Sequence, residues 1–167
     1  MREIRILRDD ELDDFVTVSV NAYPGMRVST PDERRTLRDR HAAGVTDGRF
    51  ALYGAFEHDR MVGVMRYHDF RMNLRGARTL VGGLGGLAVD LRHKKEKVAF
   101  DMVRHFHAHY RERGACLVAL YPFRPDFYRR MGYGYGTKVD QYRLLPAGLP
   151  AGGAKEDVDF LGAADAE

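Results

Sequence analysis

One cysteine, Cys116, occurs in 167 residues. That excludes an intramolecular disulfide framework and a cysteine-rich zinc site, and the single thiol fits a reducing compartment. No apolar stretch approaches the length needed to span a bilayer, so no membrane partner is expected. The start, Met1-Arg2-Glu3-Ile4-Arg5, has no apolar run behind it, so no signal peptide is read and a soluble cytoplasmic protein is expected. Internal repeats are absent. The excess of positive charge is small, 27 Lys and Arg against 24 Asp and Glu for a net +3, too mild to argue for nucleic acid. That total hides an asymmetry. Residues 151–167 hold one Lys and five acids, a net of −4, so the rest of the chain carries +7. With 44% hydrophobic and 31% charged residues, a packed core with a wet surface is expected, at a length suited to one domain.

Periodicity orders the chain. Glu3–Arg8 alternates as a short strand. Asp9-Asp10-Glu11 supplies acids at a helix start, and Leu12, Phe15, Val16 and Val20 give a helical stripe to about Tyr23, broken by Pro24-Gly25. Thr30-Pro31-Asp32-Glu33 reads as a capping box with proline at the first helical position, for a helix to about Ala43. Phe50–Glu57 and Met61–Phe70 read as strands joined by a tight connection at His58-Asp59-Arg60. After the turn Asn73-Leu74-Arg75-Gly76, a third strand runs Thr79–Val89, and its Gly82-Gly83 and Gly85-Gly86 suggest a bulge or a close approach by another backbone or a ligand. Val98, Met102, Phe106 and Tyr110, with Ala99 and Val103, form the apolar face of a helix starting after Asp90 and ending near Gly114. Ala115–Tyr121 looks like a buried strand, followed by a short helix at Asp126–Met131 and a last strand at Gly132–Leu145. Pro146–Gly153 reads as a linker. The order β-α-α-β-β-β-α-β-α-β is an α/β (α+β layered) arrangement around one mixed sheet.

The chemistry-bearing stretch is Leu87-Ala88-Val89-Asp90-Leu91-Arg92-His93-Lys94-Lys95-Glu96-Lys97-Val98-Ala99: a strand end, a turn and a helix start. A helix start exposes unpaired N–H groups and the positive end of the dipole. Arg92, Lys94, Lys95 and Lys97 crowd it with only Glu96 opposing. An anion seated there would relieve the conflict. The alternative is a solvated basic turn.

These residues, with Phe127-Tyr128-Arg129-Arg130-Met131-Gly132-Tyr133-Gly134, resemble the GNAT acetyltransferases, and more narrowly the N-terminal domain of the "enhanced intracellular survival" (Eis) type. The resemblance implies the GNAT fold, a mixed, mostly antiparallel central sheet flanked by helices, over residues 1–146, with 147–167 as a linker-like acidic tail. It implies an N-acetyltransferase (an acyltransferase of EC 2.3.1 type) with acetyl-CoA as co-substrate and a small-molecule or peptide primary amine as acceptor, joined in a ternary complex. The strand end Leu87, Ala88 and Val89 would hold the pantetheine arm. Lys94, Lys95, Lys97, Val98 and Ala99 would hold the pyrophosphate. The family often places glycine where Lys97 stands; its ammonium either reaches a phosphate, the preferred reading, or blocks the site. Tyr128 would be the general acid, since a neutral phenol can protonate the departing thiolate; otherwise it is a core tyrosine. Among longer relatives a C-terminal carboxylate serves as base, and the early stop at Glu167 leaves open a truncated chain, a non-catalytic CoA- or polyanion-binding module, or one lobe of a larger assembly or homo-oligomer.

Glu57, His68 and Asp69 are candidate bases, each more readily structural. His105 and His109 share a helix face, but an exposed polar surface accounts for them and for His107, so no metal is expected. Arg34, Arg35, Arg38 and Arg40 read as a solvated face. In related proteins Tyr23, Met26 and Phe50 would border the acceptor. Cys116 reads as a small core residue.

Overall fold

The computed structural model describes residues 2–136, 140–148 and 152. Five strands form one sheet in the order β1-β2-β3-β4-β5: β1 Glu3–Ile6, β2 Ala51–Glu57, β3 Arg60–Leu74, β4 Ala77–Val89 and β5 Leu117–Leu120. The first four run antiparallel to their neighbours. β5 lies parallel to β4, as a strand returning through a helix must. The helices are α1 Leu12–Ala22, α2 Pro31–Thr46, α3 Val98–Glu112 and α4 Pro125–Arg129. No helix among the described residues is long and apolar enough to cross a membrane.

Local chemistry sets most boundaries. Glu33 N–H donates to the Thr30 hydroxyl (3.2 Å), while the Glu33 carboxylate accepts from Thr30 N–H (3.0 Å), the reciprocal pair that starts α2 at Pro31. The β2–β3 hairpin turns on His58 and Asp59, both at positive φ, and the β3–β4 hairpin on Arg75 and Gly76, where Asn73 Oδ1 accepts from Gly76 N–H. Both strands of that second hairpin outrun their expected ends.

Two cores flank the sheet. One face of β2–β4 meets α3 through Met65, Tyr67, Leu84, Val98, Met102, Val103, Phe106 and Tyr110. The other meets α1 through Phe15, Val16, Leu52, Val64 and Ala88. Close packing of α3 depends on Gly82, where a Cβ would stand 2.4 Å from the Tyr110 ring.

Three expectations change. The helix after Asp90 begins only at Val98, because Leu91–His93 forms a 3-10 turn that Asp90 caps by accepting from Arg92 N–H. Ala115–Tyr121 is no buried strand: β5 spans four residues at the sheet edge, Leu117 is exposed, and so is Cys116, which lies 3.7 Å from the Thr79 hydroxyl. No strand occupies the described part of 132–145; residues 137–139 lie outside the described residues. Gly132 takes φ +91 in a turn closed by its N–H on Arg129 O (3.1 Å), and a Gly132, Gly134, Gly136 alternation lacks side chains to hold a ladder.

The chain divides into two compact units, Met1–Tyr133 and Gly134–Glu167. In the second, Pro146–Gly148 makes a 3-10 turn and Tyr142, Leu144 and Leu145 are exposed. Most of the acidic tail lies outside the described residues.

Candidate functional site

The strand glycines produce a bulge. Arg66 pairs with Gly85 and Val64 with Ala88, so Gly86 and Leu87 together oppose Met65. Gly86 takes φ +56, a conformation glycine adopts without strain. The bulge resets side-chain parity, turning Leu87 to the α3 core and Ala88 to the α1 core. The Leu87 carbonyl accepts from the Tyr23 hydroxyl at 2.7 Å.

β5 pairs with β4 only over Val81–Leu84 and then ends at Leu120. Beyond Leu84 the strands part, and the edge of β4 over Gly85–Val89 has no strand partner on that side among the described residues. Tyr128 belongs to the core cluster that also contains Leu87. Its ring packs edge-on to Phe123, Phe127 and Tyr133. Burial, and secondarily the nearby Tyr23 phenol, push its pKa up to about 12. The group is therefore a neutral phenol at physiological pH.

Past Val89 the chain enters the basic turn. Arg92 is already engaged: its guanidinium grips the Asp90 carboxylate at 2.6 and 3.1 Å, which holds Asp90 down at about 2. His93 lies 2.9 Å from Glu96. Arg2 bridges Glu57 and Asp101 and reaches the Glu96 carbonyl at 3.4 Å, anchoring the turn to the β1 end of the sheet. Lys94, Lys95 and Lys97 make no ion pair within the described residues and are exposed. Lys95 and Lys97 both take positive φ, at +70 and +63. Lys97 is the N-cap of α3 without any side-chain cap, so the N–H groups of Val98 and Ala99 at the helix start are left without one. An open cavity of about 250 Å³ lies between α3 and α4, lined by Phe100, Val103, Arg104, His107, Arg130 and Met131.

On the opposite face, β3 presents Arg66, His68 and Phe70 over Gly83, Gly85 and Gly86. Phe50 flanks them, 5.6 Å from the His68 ring and 6.1 Å from that of His41 on α2. Burial and the Arg66 charge depress His68, leaving a neutral imidazole. The candidate bases thus separate. Glu57 is held by Arg2. Asp69 accepts from Tyr110 (2.8 Å) and Arg113 (2.6 Å), which lowers it to about 2. His68 borders the glycine floor.

The three helix histidines are not an exposed polar face. His105 Nδ1 is 2.8 Å from the Tyr67 hydroxyl, His107 Nε2 is 2.9 Å from that of Tyr133, and His109 stands against Tyr67 and Tyr110. Aromatic hydroxyls on the sheet and after α4 draw them in. Arg34, Arg35 and Arg38 bond to Thr17 on α1 and to Asp32 and Asp39 on α2, and Met26 is exposed, its N–H donating to the Tyr23 carbonyl at 2.9 Å. Sequence reasoning missed Arg66 and the anchoring role of Arg2. Arg66 had a visible signal, a lone cation within the apolar Met61–Tyr67 run of β3; Arg2 had none.

The family model of the acetyltransferase (GNAT) domain matches residues 3–136. The chain is 26% identical over 139 residues to an uncharacterized N-acetyltransferase of Streptomyces avermitilis, covering 81% of this chain and 32% of that protein. It therefore spans about a third of that curated relative's length. Among solved structures, a transcriptional regulator from Bacillus halodurans superposes with a TM-score of 0.73 at 16% identity, over 86% of this chain and 100% of that one. A predicted acetyltransferase with acetyl-CoA from Clostridium acetobutylicum gives 0.65 at 11% identity, over 87% and 96%. These two likenesses show the fold.

Proposed function

Because the chain belongs to the acetyltransferase (GNAT) domain family, we propose that it moves the acetyl group of acetyl-CoA onto the nitrogen of a primary amine. The observation that carries this reading is the parting of β4 from β5 beside Tyr128, directly upstream of an uncapped helix start. The residues present fit acetyl-CoA. The backbone of Leu87 and Val89 faces the open edge and would serve the pantetheine arm, with Ala88, whose own N–H and C=O turn to β3, between them. Lys94, Lys95 and Lys97, with the N–H groups of Val98 and Ala99, suit the pyrophosphate. The cavity between α3 and α4 has room for part of the nucleotide.

The donor supplies a thioester, whose carbonyl carbon is open to attack. The amine nitrogen forms the new C–N bond, the C–S bond breaks, and the sulfur leaves with the electron pair. Tyr128, held protonated by burial, gives its proton to that sulfur, the role that the Eis-type resemblance implies. The attacking nitrogen must lose a proton, and His68, neutral and bordering the glycine floor, takes it directly or through water. Backbone N–H groups along β4 polarise the carbonyl.

Calorimetry with acetyl-CoA on the folded protein tests the reading; no binding heat would end it. Tyr128→Phe is expected to lower kcat about 100-fold with acetyl-CoA affinity nearly unchanged. A collapse of affinity instead would make Tyr128 a packing residue.

A further inference from the structure

Arg66 is a partly buried guanidinium with no carboxylate. It forms no ion pair among the described residues, and its guanidinium stands over the face of the Phe50 ring, 5.6 Å from the centroid. Its position is fixed by the bulge. A Cβ on Gly86 would stand 2.9 Å from Arg66 Nε, and one on Gly85 3.0 Å from His68 Nε2. The guanidinium and the imidazole thus lie against a floor of bare backbone. Burial, and after it the Arg66 charge, depresses His68 and His41, and the same charge opposes the rise that burial gives Tyr23. No ion pair among the described residues offsets that charge. His41 does not accept from Arg66, since neither of its buried ring nitrogens has a hydrogen-bond partner. Asp69 sits on the other face of β3 with Arg113 and Tyr110, and Asp47 is taken by Arg49 at 3.0 Å.

A planar fork of donors, held and unpaired beside the parted strand end, matches an oxyanion. We infer that the acceptor amine carries a carboxylate or phosphate group, seated on Arg66 so that the amine faces His68; this rests on the acetyl-transfer reading. Polyamines and aminoglycosides would bring positive charge against an unpaired guanidinium, so they are poor acceptors.

The test compares matched acceptors: amino acids against their carboxamides, and glucosamine 6-phosphate against glucosamine, with spermidine as the cationic control. The anionic member of at least one pair is expected to show a kcat/KM at least tenfold higher, and which pair responds tells carboxylate from phosphate. Arg66→Gln should abolish that ratio through KM while calorimetry shows acetyl-CoA affinity unchanged. Equal or better turnover of the neutral or cationic acceptors, or a ratio that survives Arg66→Gln, overturns the inference. If Arg66→Gln does not fold, the wild-type ratios decide alone. A second readout is independent of turnover. The His68 imidazole, followed by NMR during titration with inorganic phosphate, should have its pKa raised as the anion offsets Arg66; an unmoved His68 pKa counts against the inference. Failure of acetyl-CoA to bind removes the transfer reading, and the phosphate titration still reads the anion seat.

Discussion

Lys97 shows the conflict at a single residue between local strain and site chemistry. At φ +63 it holds a conformation that costs a side-chain-bearing residue about 1 kcal/mol, and glycine almost nothing. Lys97→Gly is expected to stabilise the fold by about 0.5–1 kcal/mol, read from a denaturant midpoint. If its ammonium serves a phosphate, the same change weakens acetyl-CoA binding several-fold by calorimetry. Tighter binding would instead mark Lys97 as an obstruction. The sequence displayed the crowd of cations at this turn. It could not display that Arg92 had left the crowd, because the bidentate grip on Asp90 depends on a 3-10 turn that interrupts the expected helix. The strand period alone turns His68 and Asp69 to opposite faces, but the sequence could not show that Tyr110 and Arg113 occupy Asp69 on its side.

Among the elements, α3 and β4 carry the architecture of the site, and their fit depends on a missing side chain. Gly82→Ala would drive a Cβ into the Tyr110 ring, which is fully buried and cannot swing aside. A loss of about 1–3 kcal/mol is expected, seen as a fall in Tm of several degrees. A wild-type Tm would mean that α3 can shift off the sheet. The elements that could be read in advance are those fixed by neighbours in sequence: the Thr30–Glu33 box, the hairpin turns, and the apolar stripe of α3, whose Val98, Met102, Val103, Phe106 and Tyr110 are all buried. Glycines inside β4 pointed to the bulge. β5 and the span after Gly132 misread because an apolar or alternating run does not say whether a neighbouring strand arrives to cover it. The histidines of α3 misread for a similar reason, since their partners Tyr67 and Tyr133 come from distant parts of the chain.

Over the whole molecule, stability should fall with acid in two stages. His41 is buried and neutral, with its pKa lowered to about 4, mainly by desolvation, from an ordinary 6.5. The unfolded chain therefore binds the extra proton between those values, and stability is lost as pH falls from about 6.5 to 4. Glu11, bonded to Arg5 at 2.6 and 2.8 Å and to Arg8 N–H at 2.8 Å, is lowered from 4.5 to about 2. Its contribution is full above 4.5 and disappears as pH falls toward 2. Each group accounts for at most about 3 kcal/mol. His41→Leu should flatten the first stage of a stability-against-pH curve and Glu11→Gln the second; an unchanged slope in either variant refutes that assignment. At this scale the charge split of the chain also acquires a location, since part of the excess positive charge stands at Lys94, Lys95, Lys97 and Arg66, two places separated by the sheet. The open edge of β4 has a consequence for inheritance. Main-chain amides are the same in every residue but proline, so donor recognition through the backbone of Leu87–Val89, as proposed, would be indifferent to most codon changes there, whereas Gly85 and Gly86 are held by the side chains above them. What restrains Leu87 and Ala88 is the shape of the two cores they fill, and the donor half of such a site can outlast many rewritings of the half that chooses the acceptor.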